Sequence, residues 1–390
     1  MDLFTTKISA NKLNPQFKEI YKKNEYENVR GVIQSWGNGL LSRNGEQRKF
    51  INEFQTTFNS AFWELFLNET FLRLGYSVDY TKVSPDFCVT TPNGYQFNVE
   101  AVISDRPHIP GKNDIFSESK FQHQSTLKLL GKINDKRDLF TGTKGKKIPY
   151  SSLEHVKGKP FILALAPFDS NLSLMQNNTI INRILFGIEQ PTLADLKSGH
   201  QKKITSIQKN ENVEIPLGIF TNDSYKEISA ILFSTTGTFG KAIIQSGISR
   251  YVRATRFRTM NVTDFITIEG AKNVGVHCHK IGPLQYFRTQ RFPYDQEIVG
   301  CDNLVFHTEF YHETHFDGLH VYYNPFAERP FDSETFFPTE ITHNFYDINT
   351  EESIQNHPDG ALVSRQVFAP TRPNLKSLIR QWCPDYANDI

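Results

Sequence analysis

Two hydrophobic periods alternate along the chain. Between residues 52 and 74, Phe54, Phe58, Ala61, Leu65 and Leu72 recur at three- and four-residue steps. That spacing predicts the buried stripe of one helix, with Gly75 as its stop. The period then shortens to two. Tyr76 to Tyr80, Asp86 to Thr91 and Tyr95 to Ile103 read as strands, and Pro92-Asn93-Gly94 joins the last two as a turn. Phe121, Leu127, Leu130 and Ile133 predict a second helix over 117–137, and the apolar run Pro160 to Ala166 suits a strand buried on both faces. The order is helix, three strands, helix, strand. Asn178 to Phe186 and Ile228 to Phe233 extend it by a short helix and a further buried strand. From residue 246 onward the chain is β-rich, aromatic and histidine-rich, with a closing helix over Asn374 to Trp382. The first 50 residues are polar and mixed, helical between Asn14 and Trp36, with a break at Gly37 to Gly39. The expected organisation is an N-terminal helical arm (1–50), an α/β domain (51–245) and a β-rich C-terminal domain (246–390).

The turn chemistry sets the register of the hairpin. Pro suits the first central position of a type I turn, Asn the second, and Gly the left-handed residue that completes a three-residue loop. Thr91 then faces Tyr95, and counting outward places Asp86 opposite Glu100 on one face, roughly 4.5–5.5 Å apart. Glu64 lies on the preceding helix among Phe62, Trp63 and Phe66. Two facing carboxylates repel unless a cation joins them, and magnesium takes oxygen ligands, usually one or two carboxylates with water and phosphate. A metal so held can polarise a phosphoryl group and activate water for in-line attack.

With Pro85-Asp86, Glu100 and the helix Glu64 in this order of elements, the segment from about 50 to 170, and as far as 245, resembles the PD-(D/E)xK nuclease superfamily. The resemblance implies a restriction-endonuclease-like core with a mixed central sheet, and a metal-dependent endonuclease cutting phosphodiesters, DNA being the expected substrate. Restriction, repair or defence would be its setting. Asp86 and Glu100 would bind Mg2+, with Mn2+ as substitute, and Glu64 would bind or orient metal or water. The chain departs from the pattern at Val102, where the family carries its lysine. Some members place that lysine on the next helix. Here Lys120, Lys128 and Lys132 qualify, and Lys132 is preferred.

Composition changes this picture little. A formal charge of +1 does not announce a nucleic-acid binder, but a local basic groove would suffice. Lys144 to Lys147 and Arg250 to Arg258, the latter interleaved with Tyr251 and Phe257, are the basic stretches. Cys88, Cys278, Cys301 and Cys383 form no paired motif, no signal peptide opens the chain and no apolar run reaches membrane length. A cytoplasmic, membrane-free protein is expected. Two-stranded cutting favours a homodimer, and the C-terminal region could recognise a partner protein. Two other readings stay open. The scaffold could bind nucleic acid without catalysis, since valine replaces the lysine. Alternatively, a zinc or iron site could form from His277, His279, His307, His312, His315 and His320, although His312-Glu313-Thr314-His315 is one residue short of the zinc helix motif.

Overall fold

The computed structural model describes the chain apart from residues 44, 105–117, 144, 146–147, 169–177, 191, 193–194, 196–197, 199–200, 262–274, 295–296 and 389–390. The N-terminal region folds as helices α1 (Pro15–Lys22), capped by the Asn14 side chain, which accepts from the Gln16 N–H, and α2 (Glu27–Trp36). The helix expected over 52–74 is two helices, α3 (Gln47–Thr56) and α4 (Asn59–Arg73). The break falls at Phe58, whose φ is +61°. Burial sets this conformation: the Phe58 ring lies 5.1 Å from Phe54 and 5.5 Å from Phe62, inside the aromatic core. α4 buries residues on nearly every side, as a helix enclosed between layers must.

The strands β1 (Ser77–Val78), β2 (Phe87–Thr90), β3 (Gln96–Ile103) and β4 (Phe161–Ala166) follow, with α5 (Glu118–Thr141) between the last two. Next come α6 (Thr179–Phe186), a small hairpin of β5 (Ser206–Asn210) and β6 (Val213–Pro216), β7 (Ala230–Phe233) and α7 (Phe239–Ser246). β8 (Tyr251–Asn261), β9 (Gly275–Gly282), β10 (Gln285–Tyr294) and β11 (Glu297–His307) form an antiparallel sheet with β15 (Leu362–Phe368), in which β9, β10 and β11 are successive hairpins and β8 lies between β11 and β15. β12 (His320–Tyr323), β13 (Thr342–Asp347) and β14 (Glu352–Asn356) turn back to the first sheet, and α8 (Arg372–Trp382) closes the chain.

The result is mixed α/β, with an eight-stranded mixed sheet ordered β1-β2-β3-β4-β7-β12-β13-β14 and a β-rich C-terminal region. β3, β4 and β7 run parallel, and β2 and β12 pair antiparallel on either side of them. Residues 320–356 therefore extend the sheet that begins near residue 77, and the sequence boundary at 246 falls inside this continuous architecture. One face of the sheet, carrying Phe97, Val99, Ile162 and Leu232, packs on α4 and the N-terminal helices. The other, carrying Val102, Leu163, Leu165 and Phe233, packs on α5 and α6 through Leu129, Leu130, Ile133 and Ile184. α8 lies on the five-stranded sheet through Leu375, Leu378 and Ile379. Among the described residues, no helix is long and apolar enough to cross a membrane.

Candidate active site

The β2–β3 hairpin has the register counted from its turn. Thr91 N–H donates to the Tyr95 carbonyl at 2.9 Å, and Gly94 takes the left-handed φ of +84°. Phe87 pairs with Val99 and Cys88 with Asn98, so one step outward brings Asp86 to Glu100. The alternation of β3 then decides the faces. Phe97 and Val99 turn to α4, while Glu100 and Val102 turn to α5. Asp86 is fixed by the Ala101 N–H, which donates to Oδ2 at 2.7 Å.

Glu100 is only 3 % exposed. Its Oε1 meets Lys136 Nζ at 2.6 Å, while Oε2 is buried without a hydrogen-bond partner. Burial, with the Asp86 charge added, pushes its carboxyl up to about 7 against the pull of Lys136. Asp86 is raised too, by burial first, with Lys136, the Ala101 N–H and Arg43 opposing. Glu64, from the helix on the other face, is an electrostatic neighbour of both acids. Burial and then Asp86 hold it well above the usual carboxylate range, with Arg43 opposing. For Lys136, burial favours the neutral amine, but Glu100 and Asp86 outweigh it and the group is raised. It is an ammonium at neutral pH.

The three acids named from sequence thus share one electrostatic cluster. The lysines named from sequence do not reach it in the same way. The ammonium on Glu100 belongs to Lys136, one helical turn beyond Lys132. Lys132 is half-buried on the same flank of α5, Lys128 lies one turn earlier again, and Lys120 is exposed near the start of the helix. Val102 is buried in the apolar seat of α5, which explains why a lysine at that position would have no polar space. Lys144, Lys146 and Lys147 lie outside the described residues.

Residues that the sequence did not single out complete the surroundings. Arg43, 8 % exposed, donates from Nη2 to the Asp86 backbone carbonyl. His155 Nε2 lies 2.7 Å from the Ser84 carbonyl oxygen. The 4-residue spacing of Lys128, Lys132 and Lys136 marks one helix flank, but only distances across the fold identify the lysine that reaches Glu100. Arg43 and His155 carry no such signal.

Among the described residues, no group of three or more His, Cys, Asp or Glu side chains is drawn together closely enough to hold a metal ion. The acids therefore offer at most a two-carboxylate seat, Asp86 with Glu100, to which the unpartnered Oε2 belongs. The C-terminal histidines serve other contacts. His315 Nε2 lies 3.0 Å from the Phe66 carbonyl oxygen, His320 Nδ1 3.3 Å from Asn178 and His307 Nε2 2.8 Å from Ser249. Arg256 and Arg258 of the second basic stretch are bound to Asp317 and to Asp302 and Asp359. Comparison with family models, with curated proteins and with solved structures gives no match for this chain.

Proposed function

We propose that the protein is a metal-dependent nuclease with a restriction-endonuclease-like core, hydrolysing phosphodiester bonds, with DNA as the substrate. The observation that carries this reading is the buried Glu100 carboxylate, with one oxygen on an ammonium and the other without a partner, beside Asp86. A buried acceptor left unpaired costs about 1–3 kcal/mol, which a ligand at that atom would relieve. Asp86 and Glu100 suit Mg2+ or Mn2+, which binds one or two carboxylates and takes its remaining oxygens from water and phosphate. When bound, such an ion supplies phosphoryl polarisation and an activated water.

The chain's own groups divide the remaining work. Lys136 stays protonated, so it serves as a donor that orients water or a phosphate oxygen and offsets charge, not as the base. Glu64, with its carboxyl raised, is suited to hold or accept a proton beside the acids. In this reading Lys136 fills the role for which sequence preferred Lys132.

Cleavage of supercoiled plasmid, linear duplex and single strands, with magnesium, manganese or EDTA, tests this. Cutting is expected only with metal and is expected to vanish in Glu100→Gln. Lys136→Ala should lose roughly 100-fold or more in kcat, while Lys132→Ala stays within a few-fold. Cutting that survives Glu100→Gln would sink the reading. Metal-indifferent binding without any cutting would favour a nucleic-acid-binding scaffold instead.

A further inference from the structure

The three residues Ser84-Pro85-Asp86 receive side chains from distant parts of the chain. His155 approaches the carbonyl of Ser84 at 2.7 Å, and Arg43 donates to the carbonyl of Asp86. Pro85 stands between these two carbonyls. Facing a carbonyl oxygen, His155 Nε2 acts as the donor. The Asp86 carboxylate completes the set by accepting from Ala101 N–H at 2.7 Å.

A loop needs none of this for chain reversal alone, since turn residues satisfy one another locally. Here a buried guanidinium from residue 43 and an imidazole from residue 155 hold the backbone carbonyls on either side of Pro85. Together they restrict the one residue whose carboxylate stands beside Glu100.

We infer that His155 and Arg43 form a carbonyl clamp across Pro85 that positions Asp86 for its partner at Glu100. Both are positioning residues, since neither touches the reacting atoms in this arrangement. The consequence for metal binding rests on the nuclease reading, whereas the placement of Asp86 does not. His155 is the better handle, being half-buried, whereas loss of the buried Arg43 risks the fold.

The test uses the full chain with His155→Ala and His155→Gln, the amide of which can donate from the same place as Nε2. In metal-free protein, hydrogen exchange at the Ala101 amide should rise roughly 10-fold in His155→Ala, without a matching rise at Val99 or Phe97, and return toward wild type in His155→Gln. Mn2+ affinity by calorimetry should fall roughly 10-fold in the alanine variant, and kcat should fall while KM for DNA holds. Unchanged exchange at Ala101, or faster exchange across the whole hairpin, would overturn the clamp. A wild type that neither binds Mn2+ nor cuts would remove the nuclease reading, while the Ala101 amide would still decide the clamp.

Discussion

At Glu100 a single side chain meets two opposed demands. Its neighbours Val102 and Leu163 belong to an apolar cluster, yet Lys136 and Asp86 bring charge to it. Burial raises its folded-state pKa from 4.5 to about 7, so the native protein retains a proton that the unfolded chain has released over that interval. Its contribution to stability is therefore complete below about 4.5 and is lost as pH rises through about 7, a change on the order of 3 kcal/mol. Glu100→Gln should flatten this slope in metal-free protein, measured by urea unfolding at about pH 5 and about pH 8. An unaltered pH dependence would show that Glu100 titrates normally. The same residue explains why one acid is legible and another cation is not. An acid inside Val99 to Ile103 is conspicuous on a strand, where alternation fixes its face. Lys136 is one of several lysines on a long helix, and sequence does not specify how far along the sheet that helix is docked.

Elements tell a parallel story. The hairpin was readable to the residue because Pro92-Asn93-Gly94 fixes the loop length, and loop length fixes register. The buried strands β4 and β7 announce themselves as short apolar runs. The split between α3 and α4 is hidden, because Phe58 keeps the apolar spacing while its backbone turns, and core burial of its ring overrides the propensity of the segment. The return of β12 to β14 to the first sheet is also hidden, since nothing local in His320 to Tyr323 names Ala230 to Phe233 as its partner. β3 offers a test at this scale. A lysine introduced there as Val102→Lys would drive an ammonium among Leu129, Leu130 and Ile133, and should cost about 3 kcal/mol or more. On the nuclease reading proposed above, Val102→Lys combined with Lys136→Ala should fail to restore cleavage. Thermal melting and plasmid cutting of the two variants check both halves, and a stable, active Val102→Lys/Lys136→Ala protein would refute the assigned face of Val102.

Across the whole molecule, a fully buried charge cluster connects the two large sheets. Glu313 Oε1 lies 3.0 Å from Lys241 Nζ on α7 and 3.2 Å from Arg365 Nε on β15. Lys241 also donates to the Thr314 and Asp317 carbonyls, and Arg365 to that of Thr236, beyond the end of β7. Even Gly240 is shaped by it, since a Cβ there would stand 1.8 Å from Arg365 Nη1. The Gly-rich stretch at 237–241, which lacks phosphate-loop spacing, thus serves close packing around an arginine. Burial opposes ionisation of Glu313, but Arg365 and Lys241 prevail and hold it at about 2. Its contribution is present above the ordinary 4.5 and is lost as pH falls toward about 2. Removing Lys241 leaves the buried carboxylate with Arg365 and the Tyr311 hydroxyl and frees the Thr314 and Asp317 carbonyls, so Lys241→Met should cost about 3 kcal/mol. Replacing the set with Lys241→Met, Glu313→Leu and Arg365→Met removes the under-compensated charge and should recover a large part of that loss. Chemical denaturation of the single and triple variants distinguishes the cases. A single variant costing less than about 1 kcal/mol would mean that α7 is held on the five-stranded sheet by apolar contacts through Val252, Leu362 and Ile244, with the ions as passengers. A triple variant no better than the single would mean that the cluster supplies net stability as an assembled unit, joining α7, the 313–317 loop and β15 in one cooperative fold.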